Sequence, residues 1–302
     1  MKKFLIGMYG GFDEAKYKRD FRQGFSGVEA CMFPDRQEAN KLMKRSMADG
    51  FKFGIHYPFL KKDTPYRDPF FISTDYTERK EAMECFGDET AFAKEKGAEY
   101  ILTHFPKPVL VDRSLDLRYW RFAGDKEWMY TDTYPIELLK ENLYEMFDGL
   151  SDISRRYDMQ IVLENDAMSS VLIKSSFLED LFQKYSTIKV CLDIGRLHLQ
   201  EKLDSSFDAL GFTTILAPYT YLIHLWNTNP VQNLSGGHYP VLPSQKPSEG
   251  WADVEGFIEI IKRYNSNVKV LFEHRSDLIS DEELNECYFW VEQMFGGKEV
   301  QK

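Results

Sequence analysis

Short apolar runs recur along the whole chain: FLIGM (4–8), GVEACMF (27–33), FKFGIHY (51–57), EYILTHF (99–105), QIVLEND (160–166), IKVCLDIG (188–195), YLIHLWN (221–227) and VKVLFEH (268–274). Each is mostly branched or aromatic, as strands buried on both faces are. Helical spacing fills the gaps. Ile136, Leu139, Leu143, Met146, Phe147, Leu150 and Ile153 form one stripe, Leu284, Cys287, Val291 and Met294 another, and Met83, Phe86, Thr90 and Ala93 a less regular one. Pro34 and Pro135 stand where a first helical turn accepts proline. Strands alternating with helices predict an α/β fold, a (β/α)8 TIM barrel, as a single domain over residues 1–302. An open doubly wound sheet competes, but GMYGGF after the first run does not match a dinucleotide-binding loop.

Three connections are long: 57–74, 105–134 and 227–252. Each follows a strand and precedes a helix, so in a barrel all three share the rim where active sites are built. The 105–134 loop carries Phe105, Tyr119, Trp120, Phe122, Trp128, Tyr130 and Tyr134. These rings either seal the rim or contact a substrate.

Composition narrows the class. Among 302 residues, 43% apolar and 28% charged content fits a globular chain and excludes disordered and collagen-like ones. With 38 Lys+Arg against 48 Asp+Glu, the formal charge is −10. That excess disfavours nucleic acid as a partner, although a local basic groove stays open. Cys31, Cys85, Cys191 and Cys287 lie far apart without a C-x-x-C pair, which predicts buried free thiols and a cytoplasmic location. No run of about 18 apolar residues exists, so no membrane span is expected. The opening MKKFLIGMYGG imitates a signal peptide but runs into FDEAKYKRD without a small-residue cleavage site, so it reads as a first strand. Oligomerisation is left open.

The chemistry gathers at predicted strand ends. His56, His104, His224 and His274 end strands, His198 follows the sixth, and His238 sits in the loop after the seventh; none falls in a predicted helix body. Glu164, Asp193 and Glu273 each close an apolar run: IVL, VCL and VLF. One such carboxylate could simply pair with Arg196 or Arg275. Three of them beside His224 point to a bound cation, since a buried charge needs a partner. Imidazole and carboxylate without thiolate suit zinc, manganese, cobalt or iron, and fit an all-oxygen calcium site poorly.

These positions resemble the xylose isomerase-like TIM-barrel superfamily, which holds sugar isomerases and epimerases and the zinc-dependent apurinic-site endonucleases. The resemblance runs from FLIGM to VLFEH. It implies a divalent metal, one or two ions, on Glu164 of VLEN, Asp193 of CLDIG, His224 of IHLWN and Glu273 of LFEH. His56 of GIHYPF and His104 of LTHFP match a second-metal pair of the endonuclease branch, and His238 of GGHYP a third-metal ligand. Gly236 and Arg196 stand where that branch has an Asp and a His; His198 could serve as an extra ligand in place of the latter.

The leading expectation is a metal-dependent sugar or sugar-phosphate isomerase/epimerase acting on a small carbohydrate. Glu164 and Glu273 would be base and acid beside a carbonyl, with Arg196, Trp226, His238 and Trp120 contacting substrate. Arg113, Arg118, Arg121 or Arg196 could hold a phosphate or carboxylate, against plain solvation in a loop rich in acids. The alternatives are a zinc-dependent phosphodiesterase/endonuclease, with Glu164 bridging two ions, and a non-catalytic metal-binding barrel.

Overall fold

The structure, a computed structural model, describes residues 2–117, 120, 122–174, 176–229 and 237–296. Eight strands form a closed parallel barrel: β1 (Phe4–Tyr9), β2 (Gly27–Phe33), β3 (Lys52–Leu60), β4 (Tyr100–Phe105), β5 (Gln160–Asn165), β6 (Ile188–Asp193), β7 (Thr220–Leu225) and β8 (Lys269–Phe272). Each pairs with its neighbour in sequence, and Phe4↔Val270 through Ile6↔Phe272 closes the ring. The (β/α)8 barrel expected from the apolar runs is therefore present.

The expected helices form where the stripes lie, at Tyr76–Glu95, Ile136–Tyr157 and Asp281–Phe295. Leu139, Leu143, Met146, Phe147 and Leu150 are buried against the barrel, whereas Ile136, in the first turn, is exposed. Pro34 precedes an Asp35 cap and Pro135 is itself the cap residue, each just outside its helix. β3 runs on to Leu60, so the first long connection begins later than expected. The 105–134 loop contains a two-stranded parallel ribbon, Val109–Val111 with Trp128–Tyr130.

Alternation along the strands sets what the barrel holds. Leu5, Tyr100, Leu102, Val162, Cys191, Leu222 and Leu271 form a buried cluster of their own. Side chains two apart in a strand share a face. Leu102 is thus followed by His104, Val162 by Glu164, Cys191 by Asp193, Leu222 by His224 and Leu271 by Glu273. The polar residues lie one step nearer the C-terminal rim than an apolar floor. Register aligns them across strands, with His104 opposite Glu164 and Asp193 opposite His224.

All four cysteines are free. Cys85 is exposed, which corrects the expectation of uniformly buried thiols: it lies on the outer face of a surface helix. No helix among the described residues is long and apolar enough to cross a membrane.

Candidate metal centre

Glu164, Asp193, His224 and Glu273 converge, each offering one ligand atom, with all four atoms within 4.8 Å of one another. His224 Nδ1 lies 3.5 Å from Glu164 Oε2 and 3.1 Å from Glu273 Oε2. His56, His104 and Glu164 make a second such group. His56 Nε2 is 3.1 Å from Glu164 Oε2, and His104 Nε2 is 3.4 Å from Glu164 Oε1. Both Glu164 oxygens, Glu273 Oε2 and His224 Nδ1 are buried without a well-formed hydrogen bond. Buried polar atoms are almost always satisfied. Atoms left orphaned while facing one another, all of imidazole or carboxylate type, fit a divalent cation.

The opposite edge of each imidazole is held. His224 Nε2 lies 3.2 Å from Glu29 Oε1, and the Tyr100 hydroxyl donates to Glu29 Oε2 at 2.7 Å. Gly54 makes room for that phenol, since a Cβ there would stand 2.1 Å from the Tyr100 ring. His104 Nδ1 is 2.8 Å from Asp68 Oδ2, and His56 Nδ1 is 3.2 Å from the Tyr57 carbonyl. A carboxylate or carbonyl behind each ring is how metal-binding histidines are oriented.

Arg196 ties the carboxylates together. Its Nε is 3.1 Å from Asp193 Oδ2 and 3.5 Å from Glu164 Oε1, and its Nη1 is 3.4 Å from Asp166 Oδ1. Lys107 Nζ and Trp120 Nε1 complete Asp166, each at 3.0 Å. The three converging carboxylates do not titrate alike. Burial and the charges of Glu164 and Glu273 outweigh Arg196 and push Asp193 up to about 7. Burial works the same way on Glu273, but His224 and His238 outweigh it and hold that carboxyl at about 2. Burial is likewise outweighed at Glu164, held well below the usual range by His104 and His224. Burial and the Arg67 guanidinium push His56 down, towards the neutral imidazole a ligand needs.

The remaining expected site residues are placed differently. His198 does not join either group. The helix Ile194–Leu203 starts directly after Asp193, so His198 lies in a helix body, and its Nε2 is 3.0 Å from the Gly250 carbonyl. This corrects the expectation that no histidine lies in a helix and places His198 apart from the two groups in which it was expected as a possible extra ligand. His274 lines the cavity beside Phe272 and Tyr288 with neither ring nitrogen hydrogen-bonded, outside both ligand groups. His238 is also outside them. It stacks on Trp226 at 4.1 Å with φ of 67°, a strained conformation of the kind that marks functional loops. Trp226 in turn lies against Gly195, where a Cβ would stand 2.2 Å from its ring. His238 and Arg196 line a cavity of about 470 Å3 together with His56, His104 and Glu273, whereas Trp226 and Trp120 are not part of its lining. Trp120 packs with Val109, Val111 and Leu115 and reaches Asp166, so its ring is structural in position. Arg113 pairs with Asp132 at 2.6 Å on the surface, as plain solvation would have it. Arg118, Tyr119, Arg121 and Gly236 lie outside the described residues.

Sequence reasoning missed Glu29, Arg67, Asp68, Lys107 and Asp166. Glu29, a lone charge inside GVEACMF, carried the same signal as Glu164. Arg67 and Asp68, in a connection without periodicity, carried none.

No family model matches the sequence. Solved structures share its fold along nearly the whole chain. A D-tagatose 3-epimerase-like protein superposes with a TM-score of 0.65 at 13% identity, covering 97% of each chain. A D-psicose 3-epimerase solved in the presence of D-fructose gives 0.63 at 12% identity, over 98% of this chain and 100% of that one. An IolI protein with a bound zinc atom gives 0.61 at 13% identity, over 97% of this chain and 98% of that one. At these identities the likeness shows a shared barrel fold.

Proposed function

We propose that this chain is a divalent-cation-dependent isomerase or epimerase of a small carbohydrate, moving a proton on the carbon beside a carbonyl. The carrying observation is the convergence of Glu164, Asp193, His224 and Glu273, with both Glu164 oxygens, His224 Nδ1 and Glu273 Oε2 buried and orphaned and Glu273 lining the cavity. The epimerases among the structural neighbours support the same reading.

Glu164, Asp193, His224 and Glu273 would hold the ion, which as zinc, manganese or cobalt supplies Lewis-acid stabilisation of charge developing on the carbonyl oxygen. Glu164 and Glu273 flank His224 and both are held as carboxylates, so either can accept the carbon-bound proton. The carboxyl so formed can give it back to the adjacent carbon, and return to the opposite face uses a proton that the other glutamate has first taken from solvent. Arg196 fixes Asp193 and lines the cavity. His238, held flat on Trp226, closes one wall, and its burial favours the neutral imidazole.

The test is solvent deuterium uptake into a panel of ketoses and ketose phosphates with manganese or zinc. Uptake is expected with the ion and is lost in Glu164→Gln and Glu273→Gln, which retain wild-type circular dichroism. Equal uptake in either variant would sink the assignment of the glutamates.

A two-ion phosphodiesterase is favoured by one observation, the His56–His104–Glu164 group. Cleavage of bis-phosphoesters or abasic-site DNA without any deuterium uptake would select it.

A further inference from the structure

Two arginines from separate elements meet beside His104. Arg67 comes from the connection after β3, and Arg196 from the first turn of the helix after β6. Arg67 Nη2 lies against both ring nitrogens of His104, 2.9 Å from Nε2, and Arg196 Nη2 is 3.2 Å from the same Nε2. Both line the cavity that holds Glu273 and His56.

Their partners are unequal. Arg196 has Asp193, Asp166 and Glu164 around it. Arg67 has a single carboxylate, Asp68, reached by Nε at 3.4 Å, and among the described residues nothing accepts from its Nη1. A guanidinium carries five donors in a rigid fork. One held mostly out of water with part of that fork unmet is ready for a planar or tetrahedral oxyanion. The same two charges stand against His104, one of the three residues a second cation would need. Positive charge beside that histidine disfavours a second cation and favours the opposite ligand chemistry.

We propose that Arg67 and Arg196 form an oxyanion clamp, and that the substrate of this site carries a carboxylate or phosphate group. The proposal rests on the isomerase reading for the reacting carbon, but not for the clamp itself. The clamp sets one end of the substrate beside His104, and the first ligand group, Glu164 to Glu273, faces the rest of it. A neutral ketose leaves the Arg67 fork unmet, so anionic sugars are the preferred class.

The experiment is calorimetric titration of manganese-loaded protein with inorganic phosphate and, separately, with acetate, alongside elemental analysis. Wild type is expected to hold one ion per chain and to bind at least one of the two anions, the tighter one naming the group. Arg67→Met should keep the ion and weaken the anion at least tenfold. Should that variant fail to fold, Arg67→Lys retains the charge without the fork and should weaken the anion severalfold. No anion binding by wild type, unchanged affinity in the folded variant, a second manganese in wild type, or loss of manganese on changing Arg67 would each overturn the clamp. Deuterium uptake separates the two claims. Uptake confined to neutral ketoses ends the clamp and leaves the isomerase reading standing. Anion binding with no uptake into any sugar does the reverse.

Discussion

Glu29 illustrates how one buried charge is made useful. It sits in the barrel wall with two partners, His224 on one side and the Tyr100 hydroxyl on the other. That arrangement turns His224 so that Nδ1 faces Glu164 and Glu273. Replacing His224 by Ala is expected to remove the cation, as read by elemental analysis; retained metal would exclude His224 as a ligand. Glu29→Gln keeps the shape and loses the charge behind the ring, and cation affinity should fall about 10–100-fold by calorimetry, the usual effect of altering such a supporting residue. Gly54→Ala would drive a methyl into the Tyr100 ring and should cost about 1–3 kcal/mol in urea unfolding. At this scale the sequence was legible wherever a charge interrupted an apolar run, as at Glu164, Asp193 and Glu273. It was silent at Arg67 and Asp68, because a loop side chain acquires its neighbour only through the path of the chain.

Elements place these residues through their junctions. β6 passes into the next helix without a linker, so Asp193 ends the strand and also caps the helix, its Oδ1 accepting from the Arg196 amide at 2.9 Å. The missing linker also explains why His198 falls one turn into a helix. Burial pushes His198 from 6.5 down to about 4, against the pull of the Gly250 carbonyl. The folded state therefore disfavours its protonation. Its contribution is complete above pH 6.5 and is lost as the pH falls through 4. His198→Gln should lessen the loss of stability between pH 7 and pH 4 by an amount on the order of 2 kcal/mol, measured as urea midpoints. Identical pH profiles would show that the histidine is not a titrating element of the fold. The barrel strands were legible as apolar runs. The ribbon at Val109–Val111 and Trp128–Tyr130 was not, because its pairing spans a stretch with no alternation of its own.

The whole molecule was read from its alternation of strands and helices, and the ring closes as that pattern predicts. Closure makes the proposed centre a property of the complete barrel, since its residues reach from β3 past β8. A cation bound to the folded chain alone should therefore raise the urea midpoint, corresponding to about 2.7 kcal/mol of unfolding free energy at a hundredfold excess over Kd. A chelator should reverse the gain, and the His224→Ala protein should show none. An unmoved wild-type midpoint would argue that no ion is held there.

The pairing of β8 with β1 also has a bearing on synthesis. A nascent polypeptide halted before Glu273 would already contain Glu164, Asp193 and His224, yet would lack both the last carboxylate and the strand that completes the circle. Interrupted translation products would make poor scavengers of trace metal, and loading would await release of the finished barrel.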